Sequence, residues 1–327
     1  MSNFINHISI SNFKSIRSCE ISDCKRINLF IGRPNVGKSN ILEALSLFSV
    51  PYLRENSSRK LSHLIRVENE TELFYNGNTD LDAVVKINNG ECRIRYNPKE
   101  GLSAIIDFFS DSYHLKIDNK LVVKGINNHP SFEPPVKKYA YKQNVVYKKG
   151  HAKYLIPPFG FNLLSIIENY PALKQEVIGL FSEYGLAIAF DKGSQTIKVI
   201  QDDKDGIFLI PYNSIADTLQ RIIFYKAAIA SNTHSILLFE EPEAHSFPPY
   251  MTHLTQEMIH RQDNQYFVAT HSPFILNDLL ENARQDLAVF IVHYEDHETK
   301  VRQLTQAELH DVFQDGVDLF TNSESFV

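Results

Sequence analysis

The chain has 327 residues, 43% of them apolar and 22% charged, a composition that excludes a disordered chain or a coiled coil and, at about 150 residues per domain, allows about two domains. Lys and Arg number 33 against 39 Asp and Glu, so the net charge of −6 excludes a protein that binds nucleic acid by coating it with cations and leaves room only for a local basic patch. Cys19, Cys24 and Cys92 are odd in number and scattered, without a C-x-x-C, which argues against a disulfide framework or a zinc finger and fits a reducing compartment. No window reaches 18 uncharged apolar residues, and residues 1–7 lack a leader pattern. The expectation is a soluble, cytoplasmic protein with no membrane contact.

The first fifty residues read as strand, strand, glycine loop and helix. H-I-S-I-S-N-F (7–13) alternates, I-N-L-F-I (27–31) is a buried-strand run, and residues 38–49 show helical spacing at Ile41, Leu42, Leu45 and Phe48. From about 65 to 147 the pattern shifts to short alternating segments, E-L-F-Y-N-G-N among them, separated by Asn-Gly and Asp-Asn turns; this predicts an antiparallel β-subdomain. A break at Pro157, Pro158 and Gly160 precedes a helical stretch over 161–184, interrupted near Pro171. Three short β segments follow, and then a helix over 214–230 with apolar Ile215, Leu219, Ile222, Ile223 and Ala227 three or four apart. Parallel-sheet grammar returns with strands at S-I-L-L-F-E-E, Q-Y-F-V-A-T and A-V-F-I-V-H-Y and helices over 250–260 and 273–280. Residues 305–316 read as a capped helix, after which Phe320 and Phe326 can dock on the core or on a partner. The expected division is 1–54 and 233–327 as the two parts of one core, with a β-rich arm (55–150) and a helical lobe (151–232) between them.

Gly32-Arg33-Pro34-Asn35-Val36-Gly37-Lys38-Ser39 matches G-x-x-x-x-G-K-[ST] and lies between an apolar strand and an amphipathic helix. Gly32 and Gly37 let the loop bend so that backbone N–H groups converge on phosphate oxygens, and the helix N-terminus adds positive charge. Lys38 is expected to bridge β- and γ-phosphates, and Ser39 to take one position on Mg²⁺. The run S-I-L-L-F-E-E-P-E-A-H (235–245) delivers Glu240 and Glu241 to the C-terminal edge of a parallel sheet, where ligands bind in such folds. Neighbours on a strand face opposite ways, so Glu240 is assigned to the metal, through its water shell, and Glu241 to polarising the attacking water. Glu243, just past the proline, is as readily a solvated carboxylate. Thr270-His271-Ser272 ends the next strand, and His271 is placed to sense the γ-phosphate; His151, His245 and His253 lack ligand spacing for zinc.

Phe13-Lys14-Ser15-Ile16, a phosphate loop running into Asn40, the E-E-P-E-A-H strand end and T-H-S-P together resemble the ABC-type ATPases of the RecF, SMC and OLD group. More narrowly, A-D-T-L-Q-R-I-I-F-Y (216–225) followed by L-L-F-E-E-P-E-A-H is similar to AAA-family ATPases of bacterial anti-phage and abortive-infection operons, such as the PARIS type. The resemblance spans most of the chain, though residues 55–150 match only in character. It implies an α/β ATPase head with a P-loop parallel-sheet core, an antiparallel β-subdomain and an inserted helical lobe. It further implies slow or trigger-dependent hydrolysis of ATP with Mg²⁺. Gly32, Asn35, Val36, Gly37, Lys38, Ser39 and Asn40 would hold the nucleotide. Two heads would form a homodimer, or a higher homo-oligomer, by sandwiching nucleotide between the loop of one and a signature helix of the other. That helix is expected to begin within residues 213–218, with Ser214, or else the Ala216 and Thr218 positions, contacting the partner's nucleotide.

The chain departs from the group's pattern in three places. Glu240 stands where Asp is usual, no Ser-Gly-Gly marks the signature, and the expected loop glutamine has only Gln143 as a weak candidate, with the break at 157–160 a competing location. No heptad run separates the head motifs, and only about thirty residues follow the last core strand, so a separate effector, a nuclease or toxin, is the expected partner. Two alternatives compete. Asp202-Asp203-Lys204-Asp205 contains a D-x-D that could hold metals in a nuclease, although its flanks read as a hairpin. Lys137, Lys138, Lys142, Lys148, Lys149 and Lys153, interleaved with Tyr139, Tyr141 and Tyr147, could form a stacking strip for a RecF-like DNA-repair ATPase, or simply a strand's wet face.

Overall fold

The computed structural model describes residues 4–109, 111–127, 133–203 and 206–326. They fall into two compact units. The first comprises Met1–Lys138, His234–Glu241 and Gln265–Val327; the second comprises Tyr139–Thr233 and Pro242–Asn264.

The first unit holds two sheets. One has six strands in the order β16 (Glu298–Gln303), β15 (Leu287–Glu295), β3 (Ile27–Ile31), β14 (Gln265–Ala269), β13 (Ile236–Glu240) and β9 (Val136–Tyr139). β3 runs parallel to β14 and β15, and β13 parallel to β14. Every residue of β3 and of β14 is buried, as expected of parallel strands covered on both faces. Strands from both ends of the chain thus meet at the centre of one sheet.

The second sheet has seven antiparallel strands in the order β2 (Ile16–Ile21), β1 (Ile8–Phe13), β4 (Ala83–Ile87), β5 (Gly90–Asn97), β6 (Gly101–Phe108), β7 (Asp111–Ile117) and β8 (Val123–Asn127). β6 alternates strictly between buried and exposed, so only one face is packed. That face shares one apolar cluster with helix α1 (Lys38–Ser46) and the parallel sheet: Ile41, Leu45 and Phe48 meet Val85, Ile94 and Ile106 within it. Phe48 lies 4.9 Å from Phe108, centroid to centroid. The expected antiparallel subdomain is present and also recruits the N-terminal hairpin, β1 pairing with β4 from Ile8↔Ile87 to Ser11↔Val84.

Two sequence expectations fail here, the second in part. E-L-F-Y-N-G-N, read as a strand, forms 3-10 turns at Glu70–Leu73 and Tyr75–Gly77. Asn69 caps the first turn by accepting from Thr71 N, and Asn76 and Gly77 adopt φ of 50° and 69°, which no strand accommodates. The cationic strip is cut short, because Lys137, Lys138 and Tyr139 lie inside β9 with exposures of 6%, 4% and 0%, while Lys142, Lys148, Lys149 and Lys153 are exposed. The three residues of β9 belong to a buried strand, neither a nucleic-acid surface nor a wet face.

The second unit packs α4 (Asp217–Ala230) against α2 (Leu163–Asn169), α3 (Pro171–Ser182) and α5 (Pro248–His260), beside an antiparallel sheet of β10 (Ala187–Asp191), β11 (Thr196–Asp203) and β12 (Gly206–Pro211). The break between α2 and α3 falls at Pro171, which opens α3 at its first position, where its missing N–H costs nothing. Lys226 of α4 is buried and satisfied by Glu176 of α3 at 2.8 Å and Glu257 of α5 at 2.6 Å, tying three helices together. The D-x-D falls at the β11–β12 turn. Lys204, Asp205 and the side chain of Asp203 lie outside the described residues.

In the first unit, α6 (Pro273–Asn282) follows β14, and α7 (Gln306–Asp315) follows β16. α7 carries a complete capping box, Thr305 with Glu308, and ends at Gly316 in the left-handed region. Among the described residues no helix is long and apolar enough to cross a membrane.

Candidate nucleotide site

The loop from Gly32 to Ser39 joins the end of β3 to the start of α1, and its shape is set by neighbours from the far end of the chain. A Cβ at Gly32 would lie 2.1 Å from Val292 O, and one at Gly37 2.1 Å from Thr299 Oγ1, with Gly37 at φ +102°. Thr299 Oγ1 donates to Val36 O at 2.9 Å and lies 2.6 Å from Ser15 Oγ, which in turn accepts from Asn40 Nδ2 at 2.6 Å. The β1–β2 turn and β16 therefore brace the loop from two sides. Gly37→Ala is expected to lower stability by about 1–3 kcal/mol, the cost of a strained backbone site, and to abolish nucleotide binding. Thermal unfolding and a fluorescent-nucleotide titration check the two effects separately.

A cleft of about 360 Å³ opens above the loop, lined by Lys14, Pro34, Asn35, Gly37, Lys38, Ser39, Asn40, Arg66, Glu241, Ala269 and His271. Residues nominated from opposite ends of the sequence thus face one cavity. Gly32 and Val36 shape the loop from behind and do not line it. At the helix start Gly37 makes no side-chain cap, and the first-turn residues Lys38, Ser39 and Asn40 line the cleft. Lys38 Nζ donates to Gly32 O and Arg33 O, both at 2.7 Å. Burial pushes its pKa down to about 8, against the opposing pull of the Glu241 carboxylate.

Glu240 and Glu241 reach this region by different routes. Strand alternation predicted opposite faces, but β13 ends at Glu240, and Glu241 turns into the left-handed region at φ 42°, its N–H donating to Ala269 O at 2.8 Å. The Glu241 carboxylate consequently faces the cleft, 3.7 Å from His271 Nε2. Glu240 turns toward Ser39, whose hydroxyl it hydrogen-bonds, and toward Arg66 at 3.0 Å and Lys138 at 3.4 Å. Burial raises the Glu240 pKa, but Lys138, Ser39 and Arg66 together outweigh it and hold the carboxyl below its ordinary value.

His271 stands between two residues occupied with local structure. Thr270 Oγ1 accepts from Ser272 N at 3.0 Å, and Ser272 caps α6. Burial first, and Lys38 second, lower the His271 pKa against the pull of Glu241, so the ring is neutral at neutral pH and able to donate one hydrogen bond.

Ser39 and Glu240 are the pair this site offers a divalent cation. A hydroxyl and one carboxylate, with the remaining positions left to water and phosphate oxygens, suit magnesium. Among the described residues no cluster of three or more His, Cys, Asp or Glu side chains could hold a metal without such help.

Several residues here carried no usable signal in the sequence. Glu43 on α1 is completely buried and paired with Lys14 Nζ at 2.5 Å and Arg66 Nε at 2.8 Å. A lone acid among apolar helix positions was the only available hint. Arg66, in an irregular segment, had none.

Two nominations lie in the second unit. Ser214 is exposed at the end of a 3-10 turn, and α4 begins three residues later, at Asp217. Gln143 donates from Nε2 to Asp217 Oδ1 at 2.9 Å and is not part of the cleft lining.

Comparison with known proteins agrees with this geometry. The family model described as "AAA ATPase domain" matches residues 4–204. The chain belongs to this AAA ATPase family. The match contains the phosphate loop, whereas Glu240, Glu241 and His271 lie beyond it and are tied to the loop by the fold. No curated protein is matched. Among solved structures, an SMC head bound to the C-terminal winged-helix domain of ScpA is similar at a TM-score of 0.52 and 13% identity, covering 92% of this chain and 98% of that one. A Pyrococcus furiosus SMC head with an extended coiled coil, bound to the C-terminal domain of ScpA, is similar at 0.50 and 12%, covering 95% and 99%. The AAA ATPase described here thus has the mixed α/β fold of an SMC head, with a large sheet core.

Proposed function

We propose that this AAA ATPase is a nucleotide-driven head that binds ATP with Mg²⁺ in the loop cleft, pairs with a second copy around nucleotide, and controls a separate effector protein. The observation that carries the reading is the convergence of Lys38, Ser39, Glu241 and His271 on one cavity although more than 200 residues separate loop from acid. In this reading Lys38 and the loop N–H groups hold the phosphates, Ser39 and Glu240 hold the metal, Glu241 polarises the attacking water and His271 donates to the γ-phosphate. Magnesium, when bound, supplies charge to the transferring phosphate. Slow or trigger-dependent turnover fits a head whose proposed signature residue, Ser214, is exposed and in this reading meets the nucleotide of the partner copy.

The SMC heads described above bind ScpA, and the same kind of partner, a separate protein docked on the head, is proposed here. Cytoplasmic residence and a role in bacterial anti-phage defence rest on the sequence resemblance. The DNA-repair alternative keeps only Lys142, Lys148, Lys149 and Lys153 of its strip at the surface, Lys137 and Lys138 being buried. The test is the mass of Glu241→Gln by light scattering: with ATP and Mg²⁺ it is expected to double, and with ADP or with added Lys38→Met it is expected to stay monomeric. A monomer under all conditions overturns the proposed pairing.

A further inference from the structure

Glu240 is already claimed. Its Oε1 lies 3.0 Å from Arg66 Nη2, its Oε2 lies 3.4 Å from Lys138 Nζ, and Ser39 donates to the same carboxylate. A carboxylate has about four lone-pair sites. A divalent cation arriving beside Ser39 must therefore displace one of these partners or share a depleted negative charge.

The two cations differ in how easily they can leave. Lys138 has a side chain 5% exposed, and its Nζ also donates to Leu64 O at 2.8 Å. Moving it would strand a buried ammonium, which is strongly unfavourable. Arg66 has a side chain 66% exposed, so its Nη2 can turn to water at little cost. Its base is nevertheless fixed. Glu43 accepts from Arg66 Nε at 2.8 Å and from Arg66 N at 3.2 Å, and Lys14 Nζ donates to Arg66 O at 2.8 Å. One end of the guanidinium is anchored on a buried carboxylate, and the other is free to exchange.

We propose that Arg66 is a built-in competitor of the divalent cation at Glu240, so that metal binding and release of the Arg66 Nη2 end are a single coupled event. Glu43 acts as a positioning residue that returns the guanidinium to Glu240 when the metal leaves. The empty head then keeps its metal carboxylate neutralised, and the buried Lys138 remains paired throughout. This inference rests on the metal reading of Ser39 and Glu240 given above.

The experiment is a Mn²⁺ titration of the full chain without nucleotide, followed by electron paramagnetic resonance up to millimolar metal, with circular dichroism to confirm folding. Arg66→Gln is expected to bind Mn²⁺ about fivefold more tightly than wild type, the upper range for an ion pair with one well-exposed member. Arg66→Lys keeps the charge but has no Nε to hold on Glu43, and is expected to bind Mn²⁺ more tightly than wild type and less tightly than Arg66→Gln; wild-type affinity in Arg66→Lys overturns the positioning role of Glu43. Unchanged or weaker Mn²⁺ binding by Arg66→Gln, with binding still lost in Glu240→Gln, overturns the competitor role alone. Binding that survives Glu240→Gln overturns the metal reading and this proposal with it.

Discussion

Glu241→Gln is expected to lower the rate of ATP hydrolysis by about 10²- to 10⁴-fold, the usual contribution of a positioned acid–base group, while ATP binding is kept or tightened. Gln has the shape of Glu and accepts the left-handed φ of 42° no less well, so the backbone turn that aims the side chain into the cleft persists. What disappears is a negative charge close to the phosphates and to Lys38, whose pKa it supports. Ground-state repulsion falls and the group that polarises water is lost, which separates binding from turnover. Single-turnover hydrolysis and a nucleotide titration on the same preparation measure both. Glu241→Gly distinguishes the carboxylate from the backbone. It is expected to be equally inactive without being less stable, because glycine relieves the left-handed strain at this position. Hydrolysis retained in Glu241→Gln would move the water-polarising role elsewhere, with Glu240 as the next carboxylate.

The parts of the site that the sequence reveals are those fixed by local rules. A loop with glycines at the bends, between a buried strand and an amphipathic helix, announces itself because backbone and motif are contiguous. An apolar strand ending in Glu240 and Glu241, or in Thr270 and His271, also points to a sheet edge. The remainder depends on contacts between distant segments. Thr299 braces Gly37 across more than 250 residues, and Lys138 meets Glu240 only because β9 lies next to β13 in the sheet. Arg66 is placed by Glu43 and Lys14 and not by any element of its own. The misreadings share a cause. Lys137 and Lys138 look like solvent-facing residues to a pattern that treats charge as a mark of exposure, yet Lys138 has a buried carbonyl and a carboxylate to satisfy it. Asn76-Gly77 carries a turn signal inside the segment read as a strand; its two left-handed residues make a tight turn closed by Asn78 N on Tyr75 O, and the preceding Leu73 and Phe74 pack into the core. The Glu240–Glu241 alternation argument extended strand geometry one residue past the end of the strand; a left-handed turn at Glu241, and not strand alternation, sends the two carboxylates to different surroundings.

Nucleotide affinity is expected to be nearly independent of pH below about pH 8 and to fall by up to about tenfold per pH unit above it, and Lys38 is the reason. In the empty cleft burial brings its pKa down to about 8, with Glu241 pulling the other way. Phosphate oxygens beside Nζ favour the charged form, so the pKa in the complex lies higher than in the free protein. A base that binds its proton more tightly in the complex favours binding where it is already protonated. Above the free-state value, each binding event must take up a proton. Calorimetry in buffers of different ionisation enthalpy is expected to show close to no proton uptake near about pH 7 and an uptake approaching one proton near about pH 9. Affinity that stays flat through this range would mean that the carbonyls of Gly32 and Arg33, which accept from Nζ at 2.7 Å, hold the ammonium charged whether or not nucleotide is present. The stability of the empty protein carries the opposite sign. Its Lys38 pKa lies below the ordinary value of 10.5, so the protonated side chain opposes folding below about 8, and that opposition is relieved as pH rises from there toward 10.5. The same buried lysine therefore costs the empty head stability at neutral pH and gives the loaded head its grip, and Lys38→Met is expected to remove both effects together.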